Sequence, residues 1–305
     1  MCRRRVVGPI EVREDTSDYL SIDFGTVLRL DGNDYFVSGH AKEGRFGIDD
    51  QPKVWVKNAY DLSDGRRVVI KLVFMEHFST TMGPFKMRCH RSPEKESAVL
   101  KSFAGDSRFM QGRTIIDPAG NNVRVLEFIH GMTLFNAIPQ IEMAHEAYYC
   151  EALPGILEKI AGCIEAIADL HEQNLSHGDV RNDHIIIDKQ TGEYRWIDFD
   201  YSVNFLDYDI WSMGNLLTYA TAKGMCTVRQ STGIQEKADL VLDPIISGDA
   251  LLFYEYRVAN LRKIYPYILP ELNNLLMRFS ASTTDYFENV RDVADELRRI
   301  IPKLG

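Results

Sequence analysis

Cysteine is scarce in this chain, with five in 305 residues. Cys2, Cys89, Cys150, Cys163 and Cys226 are widely spaced, odd in number and never arranged as C-x-x-C. That pattern argues against a disulfide scaffold or a cysteine-built metal site and for reduced thiols in a reducing compartment. Positive charge is also in deficit: 35 Lys and Arg stand against 44 Asp and Glu, a net charge of −9. A general nucleic-acid or anionic-membrane binder needs a basic face that this balance does not supply. No stretch approaches the roughly 18 apolar residues of a membrane span. Met1 to Arg5 is basic, but no apolar run follows it, so no signal peptide and a cytoplasmic location are expected. Internal repeats and low-complexity tracts are missing too. What is present is a hydrophobic content of 45%, enough to bury a sizeable core in one large domain or two lobes.

The first half reads mostly as strand. Thr26–Leu30 and Tyr35–Ser38 flank the turn residues Asp31-Gly32-Asn33-Asp34. Val54–Ala59 and Arg67–Phe74 follow, joined through Ser63, Asp64 and Gly65. Ser92–Phe103 reads as a helix, with Ser92 as cap, Pro93 in the first turn and an apolar stripe at Val99, Leu100 and Phe103. Between these lies the basic cluster Lys86 to Arg91, read as a solvated loop that could dock an anionic partner. Arg113–Ile116 and Asn122–Ile129 are strands again. The second half is helical. Leu153–Glu172 places Ile156, Ile160, Ile164, Ile167 and Leu170 on one face. Asp207–Ala222 reads as a buried helix stopping before Gly224, and Asn289–Leu304 is amphipathic. Strands first and helices after imply an α+β fold in two lobes, joined near Glu127–Gly131.

The most informative segment is His177-Gly178-Asp179-Val180-Arg181-Asn182-Asp183-His184-Ile185-Ile186-Ile187, followed by Trp196-Ile197-Asp198-Phe199-Asp200. A long helix ends in Leu170-His171. A polar loop, a short apolar strand, a turn and a second apolar strand follow. Two loop carboxylates then face each other from the ends of one hairpin, which suits a base paired with a metal ligand.

This segment resembles the protein-kinase-like superfamily, whose catalytic loop reads H-R-D-x-x-x-x-N and whose metal loop reads D-F-G. His177-Gly178-Asp179 and Asp198-Phe199-Asp200 stand in that order. Val68-Val69-Ile70-Lys71 resembles the V-A-I-K strand, and Glu96 on the next helix is its expected partner. Val125 to Leu134 resembles the hinge, and Asp209-Ile210-Trp211-Ser212-Met213-Gly214 the start of the central helix of the second lobe. Leu269 to Leu297 is similar to the last helices of eukaryotic-like protein kinases. The resemblance runs from about Thr26 to Leu304.

It implies a bilobal protein-kinase-like α+β fold: an extension over 1–25, an N-lobe over 26–126, a hinge over 127–131 and a C-lobe over 132–305. It also implies ATP with Mg²⁺ or Mn²⁺. By resemblance, Asp179 orients the acceptor hydroxyl or takes its proton, and Arg181 faces the γ-phosphate. Lys71, held by Glu96, grips the α- and β-phosphates. Asp198 holds the metal. Backbone groups at Glu127 and Ile129 meet adenine, Leu126 guards the back pocket, and Asp209 holds the catalytic loop through its backbone.

The chain also departs from the family pattern. The glycine-rich loop is reduced to Gly44 and Gly47, which still let backbone amides approach phosphate. His184 stands where the family has the Asn for a second metal. Imidazole suits Mg²⁺ poorly, so Asp183 takes over, the second metal is lost, a softer ion is used, or His184 is structural. Asp200 replaces the metal-loop Gly, as in choline-kinase and aminoglycoside-phosphotransferase relatives, and could join the metal ligands. Asp209 follows Asp198 by only 11 positions, and no A-P-E follows. With Gly178 in place of the loop Arg, no phosphorylation switch of the usual kind is expected. The function expected is an ATP-dependent phosphotransferase acting on a hydroxyl, with protein Ser/Thr favoured over a small molecule. The alternative of another class is a nucleotide-binding pseudokinase scaffold.

Overall fold

The structure is a computed structural model and describes residues 11–45, 48–205, 207–231 and 243–304. The chain divides into two compact units. The first comprises Met1–Glu76 and Arg91–Ile129, the second His77–His90 and His130–Gly305.

Among the described residues the first unit carries β1 (Val12–Arg13), β2 (Val27–Leu30), β3 (Asn33–Arg45), β4 (Ile48–Asp61) and β5 (Arg67–Lys71). The second unit's β6 (His77–Met82) and β7 (Phe85–Arg91) come next in the chain. After them the first unit resumes with helix α1 (Pro93–Ser102), β8 (Gly112–Ile116) and β9 (Asn122–Glu127). Its seven strands form one sheet in the order β1-β2-β3-β4-β5-β9-β8. The core is where apolar residues alternate inward: Leu28 and Leu30 on β2, Tyr35 and Val37 on β3, Ile70 on β5, Val123 and Val125 on β9. The Ser92 hydroxyl accepts from the Lys95 amide to start α1.

Three elements differ from the sequence expectation. First, β3 and β4 are far longer than Tyr35–Ser38 and Val54–Ala59. They pair almost to their shared tip, with irregularities at Val37/Gly39, His40/Ala41 and Glu43/Arg45. Gly39, with φ +143°, absorbs one of these breaks, so the polar stretch expected as loop stays in the ladder. Second, β5 ends at Lys71 rather than Phe74. Third, Lys86 to Arg91 is strand, not a solvated loop. Along β7 exposed Lys86, Arg88 and His90 alternate with buried Met87, Cys89 and Arg91, a period of two.

The second unit has two small sheets, β10 (Gly131–Thr133)–β11 (Ile185–Asp188)–β12 (Tyr194–Trp196) and β13 (Tyr201–Val203)–β7–β6. Its longer helices are α2 (Leu153–Glu172), α3 (Tyr208–Thr221), α4 (Pro270–Met277) and α5 (Val290–Ile300). Helix α2 buries Leu157, Ile160, Ile164, Ile167 and Leu170, and packs on α5, α3 and β12. The hairpin β6–β7 docks through Met82, Phe85 and Met87 onto Phe205, Tyr208, Phe253 and Tyr254. Gly83 at its turn has φ +53°, and a Cβ there would lie 2.1 Å from the Leu252 carbonyl oxygen, so only glycine fits.

Candidate active site

In the first unit, β5 ends by delivering Lys71 into the interior. Its Nζ lies 2.6 Å from Glu96 Oε1 on α1, and both side chains are buried. Two buried charges persist only as partners, because each alone would carry its full desolvation cost. Glu96 has a second partner that sequence reasoning missed: Arg124 Nε lies 3.2 Å from its Oε2. Arg124 stands directly across from Lys71 in the β5–β9 register. Opposed like charges repel, so Glu96 between them is what makes the register tolerable. One signal was available, a lone cation inside the apolar run Asn122–Ile129.

Leu126 and Ile129, expected near adenine, are buried, and the Glu127 amide donates to the Gln111 carbonyl at 2.9 Å. Gly44 lies within β3. Gly47 lies outside the described residues.

In the second unit, the loop after α2 is organised by Asp209, in the first turn of α3. Its Oδ2 accepts from the His177 amide at 2.7 Å and lies 2.9 Å from His171 Nε2. Its Oδ1 accepts from the Gly178 amide at 2.8 Å. Gly178 has φ +77°, which lets two successive amides turn toward one carboxylate. His177 is fully buried against Trp196 and Phe199, with ring centroids 4.8 and 4.6 Å away. Its Nδ1 accepts from the Asp179 amide at 3.2 Å. One imidazole therefore ties the catalytic-type loop to the metal-type loop.

His184 does the same on the other side. Its Nδ1 is 2.8 Å from the Asp179 carbonyl oxygen, which can only accept, so Nδ1 carries the proton. Nε2 lies 3.6 Å from Asp198 Oδ2, and Nδ1 lies 3.6 Å from Asp179 Oδ2. The ring thus stands between the two carboxylates that the sequence singles out. Asp198 has φ +69°, a left-handed conformation that costs a non-glycine residue on the order of 1 kcal/mol.

Arg181 grips Asp183 with both arms of its fork, Nε to Oδ1 at 2.9 Å and Nη2 to Oδ2 at 2.5 Å. Its Nη1 is 3.9 Å from Asp179 Oδ2. Asp183 is thereby engaged by a cation. Burial alone would raise its pKa, but His184 and Arg181 outweigh that and the net shift is downward. Asp179 shifts the other way. Burial pushes its pKa up, and Asp198 and Asp183 add to the rise against the pull of His184 and Arg181.

Asp198 and Asp200 are both buried and offer hard oxygen ligands, and His184 Nε2 offers one softer nitrogen. Among the described residues no three His, Cys, Asp or Glu side chains gather into a self-contained metal site. The carboxylates of Asp198 and Asp200 are the donor type an ion of the Mg²⁺ kind takes, its shell being completed by phosphate oxygens and water.

No protein-family profile matches the chain. No curated protein matches it either. Among solved structures, the PknI kinase domain of Mycobacterium tuberculosis is similar at 12% identity and a TM-score of 0.52. The match covers 87% of this chain and 95% of that one. The chain therefore has a protein-kinase-like fold of the α+β class, as the order of its motifs implied. Among the described residues no helix is long and apolar enough to cross a membrane.

Proposed function

We propose that this chain is an ATP-dependent phosphotransferase that moves the γ-phosphate to a hydroxyl, with Ser or Thr of a protein as the favoured acceptor. The observation that carries this reading is the His184 ring held between Asp179 and Asp198, 3.6 Å from a carboxylate oxygen of each. A fold that only packed would not spend buried carboxylates and a left-handed aspartate on one loop pair. The Lys71–Glu96 pair, buried at 2.6 Å in the first unit, supports it independently.

In this reading Asp179 takes the acceptor proton. Its raised pKa makes it a stronger base than an ordinary aspartate. Asp183 holds Arg181 in a fixed orientation, and the guanidinium offers its remaining donors to the γ-phosphate. Lys71, aligned by Glu96, neutralises the α- and β-phosphates. Backbone groups at Glu127 and Ile129 contact adenine behind Leu126, and the Gly44 backbone approaches phosphate. A Mg²⁺ or Mn²⁺ at Asp198, with Asp200 and His184 beside it, would neutralise charge between the β- and γ-phosphates. The rate gain then comes from positioning and charge neutralisation rather than covalent chemistry.

The test is metal-dependent transfer or hydrolysis of ATP by the full chain and by Asp198→Ala. We expect wild-type turnover with Mg²⁺ or Mn²⁺ and its loss in the variant. A second reading, a nucleotide-binding pseudokinase, is favoured by one observation: His184 replaces the expected Asn while Asp183 is already held by Arg181. Wild type that binds ATP but turns over none with any divalent ion would establish that reading instead.

A further inference from the structure

The β6–β7 hairpin has no counterpart among the motifs above, yet it is built against the catalytic side of the second unit. Strand β7 pairs with β13, which starts immediately after Asp200. The Arg88 amide donates to Asn204 Oδ1 at 2.6 Å, and the Asn204 amide donates to the Arg88 carbonyl at 3.1 Å. Cys89, on the inward face of β7, is buried.

The outward face is chemically different. His77 pairs with His90, Ser79 with Arg88 and Thr81 with Lys86 across the register, and all six are exposed. The result is a compact strip of two lysine- or arginine-type cations, two imidazoles and two hydroxyls on a chain of net charge −9. No acidic side chain pairs with Lys86 or Arg88 among the described residues. Strand β6 is the outer edge of its sheet among the described residues, so its backbone can pair with another strand. Beside that edge, Phe78 is 40% exposed.

We propose that this hairpin docks an acidic, extended segment of the protein substrate, added as a strand along β6. The proposal rests on the phosphotransferase reading and deepens it by naming the acceptor's flanking chemistry. The occupant follows from three features. A free strand edge recognises polypeptide backbone. The cationic strip selects acidic side chains on one face of the added strand, and Phe78 selects apolar ones on the other, so the segment alternates acidic and apolar residues. A long nucleic acid is disfavoured, because beyond a Debye length of about 8 Å it meets a net negative protein, whereas a short acidic segment feels the local strip. A segment added outside β6 lies three strand spacings, about 14 Å, from β13, the strand that follows Asp200.

The probe is a fluorescein-labelled peptide of about twelve residues, roughly 40 Å when extended, alternating Glu and Val around one Ser. Its anisotropy is measured with the full chain, beside a Lys-for-Glu version and a shuffled version that breaks the alternation. We expect the alternating acidic peptide to bind, the shuffled one to bind several-fold more weakly and the lysine version not at all. The double reversal Lys86→Glu with Arg88→Glu should weaken binding about tenfold. Thr81→Pro should weaken it through the edge. Both should leave binding of a fluorescent ATP analogue unchanged. Equal binding of all three peptides, insensitivity to both variants, or binding of single-stranded DNA but not peptide would overturn the proposal. Peptide docking without any nucleotide binding would instead remove the phosphotransferase reading and leave the docking surface standing.

Discussion

At the scale of single residues, Asp179 carries two opposing demands. Burial raises its pKa, which means the folded protein favours the neutral form. Its ionised form therefore works against folding: stability from this site is fully present at low pH and is lost as pH rises through the raised pKa. Phosphoryl transfer needs the ionised form. Asp179→Asn should thus lower transfer by about two orders of magnitude or more while raising the melting temperature at neutral pH. The acid limb of the wild-type kcat/KM profile should lie above the ordinary aspartate value of about 4. A variant that is both inactive and less stable would show that Asp179 is held by partners of its ionised form. His184 carries a separate expectation. An Asn at this position supplies an oxygen in place of the ring nitrogen Nε2 beside Asp198, so His184→Asn should keep or raise turnover with Mg²⁺. Complete loss with every divalent ion would show that the imidazole has a role of its own.

At the scale of elements, the β6–β7 hairpin does for the second unit what a long activation segment cannot do here. Asp209 follows Asp198 by only 11 positions, too few for the segment between them to fold back over the loop pair. Strand β13 is instead clamped by β7, and the clamp depends on its turn seating against Leu252. Gly83→Val places a Cβ where the Leu252 carbonyl oxygen stands and forces a β-branched residue into φ +53°, at a cost on the order of 2 kcal/mol or more. The expected outcome is faster amide exchange across residues 77–90, with α2 unchanged. Uniform acceleration through both would mean that the hairpin is part of the unit's global core rather than a docked clamp.

At the scale of the whole molecule, legibility in the sequence followed whether a short motif names the interacting residues. Asp179 and Asp198 were readable because loop, strand, turn and strand lie within one short stretch. Asp209 was readable through its helix motif, and it accepts from the two amides it was expected to organise. The fold class followed from the same order of motifs. Arg124 was not readable, because the motif that pairs Lys71 with Glu96 names no second cation for that carboxylate on β9. The hairpin was missed because alternating Met87 and Cys89 sat under a run of basic side chains that looked like a solvated loop. The length of β3 and β4 was missed because polar residues and irregular register hid a ladder that the backbone completes anyway.

The assignment of His77–His90 to the second unit, although Lys71 and Glu96 flank it in the first, has a practical meaning for anyone dissecting the protein. The chain changes unit near residues 76, 90 and 129, not at a single joint. A fragment cut after Ile129 would carry an orphaned ribbon whose sticky side bears Met82, Phe85 and Met87, while the remaining piece would lose the strand that brackets β13. Separating the halves cleanly calls for excising the ribbon from one piece and grafting it onto the other.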